Sequence, residues 1–315
     1  MSHRCFALLA CVLFSPTAFA QAPTGWAPPR TAEGRPDFQG VWASMSLTMV
    51  ERPKDVTELS PTEEQASALV EKFWSDAPAL DDPDIAFYNV RNFSVVKGAI
   101  RTSHLVAPAD GRLPYTPAGL ALAEREPTSA MALYDDPEQR PTYERCLAGF
   151  AQAPMRTIPL LIPMQVVQTP GALVFWMEDV AGFRTIHLDR APPPGVMQSH
   201  EGWSSGRWED DTLVIETTHL RPGDHWRTDY GRAVVVDETS RIVEKLTLIS
   251  EDELLYQFTV EDPDLYTGPW LAEFSFRRQR TPVYEYACHE GNYSIVNALL
   301  GGRVADAKPK PAAKK

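Results

Sequence analysis

The sequence predicts a mainly β protein, with an antiparallel barrel in its C-terminal half and a partly helical N-terminal extension. Between residues 155 and 290, short β-rich segments recur at intervals of about ten residues and are separated by turn residues. Several of them alternate apolar and polar positions, as residues 213–217 and 242–248 do. Consecutive antiparallel strands must protect their edges, and closure into a barrel achieves this while leaving an interior that can hold a ligand.

The N-terminus has the pattern of a signal peptide, which we assign to residues 1–20. Arg4 provides the positive charge, residues 6–14 are apolar, and a small-x-small cleavage motif ends at Ala20. The apolar run is too short to cross a bilayer as a helix. We therefore expect a periplasmic or secreted protein cleaved after Ala20. The alternative is a lipoprotein modified at Cys11.

The cysteines predict one disulfide bond. Removal of the signal peptide leaves Cys146 and Cys288, and two cysteines in an oxidising compartment usually pair. The alternative is a pair of buried free thiols. On the chain-entropy model, closing so long a loop restricts the unfolded chain by about 4–5 kcal/mol.

The rest of the chain is expected to be one domain. An extended lead-in is predicted at 21–36 and a disordered basic tail at 305–315. Between them lies a single β-rich domain at 37–304, which contains a helical and loop part at 55–150, the barrel at 155–290 and a short helix at 293–300. The net charge is −12, so a nucleic-acid partner is not expected. After residue 20 no apolar run is long enough for a transmembrane segment.

Local signals mark the ends of the predicted helices. Ser60 can cap a helix that runs to about Trp74, with Glu63 completing a capping box. A second, shorter helix is expected to start at Thr116. Asn292 can cap the C-terminal helix, and Gly301 is expected to end it.

Four motifs carry a resemblance to a known family. They are PDFQGVW at 36–42, LPYTPAG at 113–119, GRWEDDTLVIETT at 206–218 and YACHEGNY at 286–293. They resemble the signatures of a large family of exported bacterial proteins of unknown function. The resemblance implies periplasmic placement and a lipocalin-like (calycin-type) barrel, and it implies no particular activity. Members often have an aromatic residue where this chain has His200.

Two histidine–glutamate pairs are the candidate catalytic residues: His200 with Glu201, and His289 with Glu290. An imidazole titrates near neutral pH, and a neighbouring carboxylate can orient it for proton transfer. Adjacent residues of a strand point to opposite faces, but a glycine follows each pair and permits a bend. A purely structural role for each pair is the alternative.

The candidate substrate-binding residues are Arg184, Glu178, Arg156, Trp203 and Tyr286. Arg184 and Glu178 flank a predicted turn and are either a surface ion pair or the charged floor of the barrel. With Arg156 as a second cation, an arginine in an apolar cavity could hold a carboxylate or an enolate-like oxygen. Trp203 and Tyr286 could wall a site for a flat or bulky apolar ligand.

These residues leave three functional hypotheses open. The first is a non-redox enzyme (lyase, isomerase or hydrolase) that uses histidine and glutamate as acid and base on a bulky apolar or aromatic compound. The second is a non-catalytic carrier of a small-molecule ligand, and the third is a structural module with a filled barrel. No nucleotide, flavin or haem motif is present, so we expect no cofactor. His219 and His225 lie in one loop with Asp224 and Asp229, but their spacing is too irregular for a metal-site motif, so we expect no metal; a metal bound in this loop is the alternative. The oligomeric state is left open.

Overall fold

The computed structural model describes residues 25–76, 90–132, 134, 136–140, 142–180, 182–222 and 234–307. The predicted signal peptide, with its cleavage position at Ala20 and the alternative lipidation site at Cys11, lies outside the described residues. The same holds for residues 21–24 of the predicted lead-in and 308–315 of the predicted tail.

The described residues form twelve β-strands. They are β1 Gly40–Ala43, β2 Ser94–Val96, β3 Ala99–Arg101, β4 Leu105–Ala107, β5 Met164–Gln168, β6 Ala172–Met177, β7 Phe183–Leu188, β8 Trp203–Glu209, β9 Thr212–Thr218, β10 Arg241–Ser250, β11 Glu253–Glu261 and β12 Trp270–Gln279. Nine of them close into a barrel in the order β1, β5, β6, β7, β8, β9, β10, β11, β12, because β1 pairs with both β5 and β12. β4 pairs with β12 as well, and β2 pairs with β3 in a separate hairpin.

Alternating side chains explain why these segments form a barrel. In β10, Ile242, Glu244, Leu246 and Leu248 are buried, while the intervening positions 243, 245 and 247 are partly exposed. This two-residue period sends alternate side chains to the inside and the outside of the sheet. Large inward side chains fill the interior, among them Trp42, Met164, Phe175, Tyr256, Phe258, Trp270 and Phe274.

The mainly β fold and the closed barrel are confirmed, but three details of the prediction are wrong. The barrel is not confined to the C-terminal half, because β1 closes it. β7 and β8 pair in parallel, whereas consecutive antiparallel strands were expected. The last barrel strand, β12, ends at Gln279, and the further strand expected at 283–288 is not formed. Pro282 lacks the backbone N–H that a continuing ladder needs, and residues 282–287 are irregular.

The described α-helices are α1 Glu63–Asp76, α2 Pro117–Ala132 and α3 Tyr293–Asp306, and a short 3-10 helix spans Pro137–Gln139. The capping box of α1 is formed by Thr62 and Gln65, since each backbone N–H of this pair bonds to the other side chain. The predicted cap at Ser60 therefore lies two residues too early. Asn292 caps α3 as expected, at 3.4 Å between its Oδ1 and the Ile295 nitrogen.

α3 continues six residues beyond the predicted end at 300, so Gly301 does not terminate it. Within the described part of the chain, each helix is too short or too polar to cross a membrane.

The predicted disulfide between Cys146 and Cys288 is confirmed, with 5.8 Å between the two Cα atoms. It fastens the irregular segment after β12 to the loop that follows α2. Asn292 supports the same junction, because its Nδ2 donates to the Glu144 carbonyl oxygen at 2.8 Å. The start of α3 is therefore fixed to the body of the protein.

Candidate functional site

The predicted pair His289 and Glu290 lies on the outer surface. Both side chains are exposed in a turn directly after the disulfide, and the Glu290 backbone nitrogen bonds to the Ala287 carbonyl oxygen at 3.1 Å. Tyr286, predicted to wall a ligand site, is 50% exposed in the same segment. The structure therefore places these three residues on the outside of the barrel.

The second pair, His200 and Glu201, lies in the loop between β7 and β8 and is partly buried. The Nε2 atom of His200 is 3.5 Å from a guanidinium nitrogen of Arg221. The carboxylate oxygens of Glu201 are buried, and its charge helps to raise the pKa of Arg184. Glu201 therefore lies on the barrel side of the loop, away from the exposed His289 pair.

Two other predicted binding residues have roles on the outside of the barrel. Trp203 stacks on His187 with 3.9 Å between ring centroids, and both are outward-facing positions of neighbouring strands. Glu178 accepts a hydrogen bond from the Tyr284 backbone nitrogen at 2.9 Å. It holds the segment after β12 and does not pair with Arg184, so the predicted cross-strand pair is wrong.

Arg184 points into the barrel, which agrees with the second of the two alternatives, but its partner is Glu244 of β10. Nη1 donates to Glu244 Oε1 at 2.9 Å, and Nη2 donates to Glu244 Oε2. Nη1 also reaches the Ala151 carbonyl oxygen, Nη2 reaches Thr217, and Nε donates to Ser204 at 2.9 Å. All five N–H directions of the guanidinium thus have acceptors within the protein. Arg184 is a structural centre of the barrel and has no donor left for a ligand anion.

Tyr256 completes this network. Its hydroxyl donates to Glu244 Oε1 at 2.6 Å and accepts from the Met155 backbone nitrogen at 2.7 Å. Burial, together with the charge of Glu244, raises the pKa of Tyr256 well above its ordinary value. Burial alone would lower the pKa of Arg184, but the charge of Glu244 and the hydrogen bonds to it raise it. The network therefore holds one positive and one negative charge and a neutral phenol.

Sequence reasoning missed Glu244, although a signal was present. Ile242, Leu246 and Leu248 define the apolar face of the segment, and Glu244 falls on that face. A carboxylate on the buried face of a strand needs a cation inside, because an isolated buried charge is very costly.

A cleft between inward-facing residues of β11 and β12 and the loops packed on them, which we call the barrel-mouth cleft, is the candidate functional site. It lies between the barrel and the N-terminal part of the chain, and most of its lining is apolar: Ser46, Leu47, Thr48, Met49, Val50, Phe73, His104, Met155, Arg156, Thr157, Ile158, Pro159, Phe258 and Phe274. Its empty volume is about 480 Å³ including the open mouth, and about 30 Å³ of it accommodates the centre of a water molecule. The inner part has room for about two waters.

His104 stands out in this cleft. Its backbone is fixed on both sides, because its nitrogen donates to the Met49 carbonyl oxygen and its carbonyl accepts from the Glu273 nitrogen, both at 2.8 Å. The imidazole packs against Phe274, with 5.2 Å between ring centroids. The side chain is buried, and among the described residues its Nε2 has no hydrogen-bond partner. Such an atom costs stability unless another molecule satisfies it.

Burial lowers the pKa of His104 to about 3. The imidazole is therefore neutral at physiological pH, with one nitrogen that donates and one that accepts. The predicted binding residue Arg156 lines the same cleft, and its guanidinium carbon lies 4.2 Å from the centroid of Phe150. The cleft thus combines an apolar wall with a neutral imidazole.

Among the residues that the structure describes, no group of three or more histidine, cysteine, aspartate or glutamate residues is placed to hold a metal ion. A comparison of the chain with protein-family models, with curated proteins and with solved structures finds no match.

Proposed function

We propose that the protein binds a small molecule in the cleft at the barrel mouth, with His104 as the polar contact. The observation that carries this proposal is the buried Nε2 of His104, which has no partner among the described residues. A buried polar atom that lines an apolar cleft is the usual arrangement of a ligand site, where few polar groups fix the orientation of an apolar body.

A hydroxyl is the ligand group that fits best. It can donate to Nε2 or accept from it, so it matches either tautomer of the neutral ring. The inner space is small enough to admit a terminal hydroxyl, while the apolar body would lie against Phe258 and Phe274 towards the mouth. Met49 and Met155 line the same space, and their flexible side chains can move aside for ligands of different shape.

The properties of this cleft fit a non-catalytic binding protein better than an enzyme. An acid–base catalyst works best when its pKa is near the operating pH, whereas that of His104 is about 3. The histidine–glutamate pairs that the enzyme hypothesis depends on lie elsewhere, one of them exposed. We therefore favour a carrier or binding protein over a lyase, isomerase or hydrolase.

Export and a lipocalin-like mode of use are part of this proposal. The signal-peptide pattern of residues 1–20 and the disulfide between Cys146 and Cys288 both support a periplasmic or secreted location. The ligand would enter at the open end of a barrel, as in a calycin-type protein. The filled interior below the cleft limits the ligand to the mouth.

Small hydroxyl compounds test the proposal by isothermal titration calorimetry. Phenol, benzyl alcohol and cyclohexanol are the probes, and toluene is the matched probe without a hydroxyl. We expect the hydroxyl probes to bind the wild type, and His104→Leu to weaken them by about tenfold, because one hydrogen bond to a buried group is worth about 1.4 kcal/mol.

Toluene is expected to bind both proteins alike. His187→Leu, which changes a histidine on the outer surface, is the matched control and should bind the probes as the wild type does. Equal affinity of the hydroxyl probes for wild type and His104→Leu, or no binding of any probe, would contradict the proposal.

A further inference from the structure

The outer face of the barrel carries a groove across β10, β11 and β12, which we call the outer groove. Its floor consists of side chains that alternate with the buried ones. Lys245 of β10 lies opposite Gln257 of β11, which in turn lies opposite Glu273 of β12. The outer groove has a volume of about 480 Å³, which is within the usual range for small-molecule sites.

One end of this row is an ion cluster around Glu273, the only acidic residue that lines the outer groove. Its Oε2 accepts hydrogen bonds from Lys97 at 3.2 Å and Gln257 at 3.0 Å, and its Oε1 accepts one from Arg101 at 3.0 Å. Lys97 lies in the turn between β2 and β3, and its backbone nitrogen donates to Glu253 at 3.0 Å. The negative charge of the groove is therefore fully engaged, and the wall formed by this turn is held in place.

Lys245 lies at the other end of the row, and no carboxylate in the described part of the chain neutralises it. Its side chain is partly buried, and the described residues offer its ammonium neither an ion pair nor a hydrogen bond. Glu216, on the same outer face of β9, is bonded to Arg241 at 3.0 Å. In a chain with a net charge of −12, this leaves an unpaired cation in a groove, which attracts an anion.

A pair of hydroxyl groups lies next to Lys245. Thr247 is two positions further along β10 on the same face, and its hydroxyl is 2.9 Å from that of Thr212 on β9. Because one proton is enough for this bond, the second hydroxyl proton is available to a ligand. The outer groove therefore presents a hydrogen-bond donor beside its cation.

The neighbouring row across the same strands is mainly apolar. Val243 of β10 lies opposite Thr259 of β11, which lies opposite Leu271 of β12. Val243 and Leu271 line the outer groove and are partly exposed. An apolar ligand body can lie on this row while a charged group at its end reaches Lys245.

We propose that the outer groove binds a small organic carboxylate. The ligand carboxylate accepts hydrogen bonds from the Lys245 ammonium and from one of the two threonine hydroxyls, and its apolar body lies against Val243 and Leu271. A doubly charged phosphate fits less well, because Lys97 is engaged by Glu273 and Lys245 is the lining cation left for the ligand. This site is separate from the barrel-mouth cleft and does not depend on the function proposed for it.

Isothermal titration calorimetry at low ionic strength tests this proposal. The probe is 3-phenylpropionate, and 3-phenylpropionamide is its matched neutral analogue. We expect the carboxylate to bind the wild type, and the amide to bind at least about tenfold more weakly because it lacks the charge. Lys245→Met is expected to weaken the carboxylate by about tenfold, since it removes the ammonium and keeps an unbranched side chain. Thr259→Trp, which fills the apolar row, is expected to abolish binding.

Lys54→Met is the matched control, because Lys54 is an exposed lysine that does not line the outer groove. It should bind 3-phenylpropionate as the wild type does, and so should His104→Leu, in which only the barrel-mouth cleft is altered. Circular dichroism checks that every variant is folded at the titration temperature. The proposal is overturned if the carboxylate does not bind, if the amide or phenyl phosphate binds as tightly, or if Lys245→Met behaves like Lys54→Met. Loss of carboxylate binding in His104→Leu would also overturn it, because the ligand would then occupy the barrel-mouth cleft.

Discussion

Replacing Glu244 by leucine is expected to destabilise the protein by about 3–5 kcal/mol, because it leaves the Arg184 guanidinium buried without its counter-charge. Both side chains are almost completely shielded from solvent, since Arg184 is 1% exposed and Glu244 is 0% exposed. The Tyr256 hydroxyl would lose its acceptor in the same change. Urea unfolding at neutral pH, followed by circular dichroism, measures the difference.

A surface pair provides the matched control for this experiment. Glu216 of β9 bonds to Arg241 of β10 at 3.0 Å on the outside of the barrel, and Glu216→Leu is expected to cost less than about 1 kcal/mol. The double variant Arg184→Met/Glu244→Leu is expected to recover most of the stability that Glu244→Leu loses, since it removes both charges together. A loss below about 1 kcal/mol for Glu244→Leu would contradict the structural role of the network.

Replacing His104 by leucine is expected to make the protein more resistant to acid. An unfolded histidine has a pKa of about 6.5, whereas burial lowers that of His104 to about 3. Below pH 6.5 the unfolded chain takes up a proton that the folded protein does not bind. The free energy of unfolding of the wild type therefore falls by about 1.4 kcal/mol per pH unit in this window, or about 4–5 kcal/mol by pH 3.

In His104→Leu this contribution is absent, so its advantage over the wild type should grow as the pH falls from 6.5. At neutral pH the variant is expected to be more stable by about 1–3 kcal/mol, because a buried atom without a partner has been removed. Urea unfolding of both proteins at pH 7, 6, 5 and 4 measures the difference, and His104→Phe should behave in the same way. Parallel pH profiles for variant and wild type would show that His104 is protonated to the same extent in both states.

Much of the fold follows from local sequence signals. The alternation in residues 242–248 and the acidic turns after Glu209 and Ser250 define hairpins, because these features depend only on neighbouring residues. Closure of the ring depends on residues far apart in the chain. The pairing of β1 with β12 and the parallel pairing of β7 with β8 have no local signal, so the sequence could not predict them.

The candidate site was less predictable. An inward Arg184 was only one of two alternatives, the other being a surface pair with Glu178. Its actual partner Glu244 lies on β10, three strands away in the ring, and no local sequence signal specifies this contact. His289 and Glu290 have the sequence pattern of an acid–base pair, yet the irregular segment after Pro282 leaves them exposed. A pattern of residue types specifies possible chemistry but does not specify burial.

His104 shows the limit of sequence reading most clearly. It lies between Ser103 and Leu105 with no motif around it. Its importance comes from contacts with Met49 and Phe274, which are distant in the chain. A lone histidine in a sequence is more often structural than functional, and only the tertiary structure shows that the Nε2 atom of this one lacks a partner.

Anomalous diffraction from a crystal soaked in 4-bromophenol tests the central claim most directly. The claim predicts a bromine peak in the cleft near Phe258 and Phe274, with the phenol oxygen at about 2.7–3.0 Å from His104 Nε2. In His104→Leu crystals soaked in the same way, this peak should be lost or strongly reduced. A wild-type crystal with no peak in the cleft, or with bromine bound only elsewhere on the protein, would contradict it.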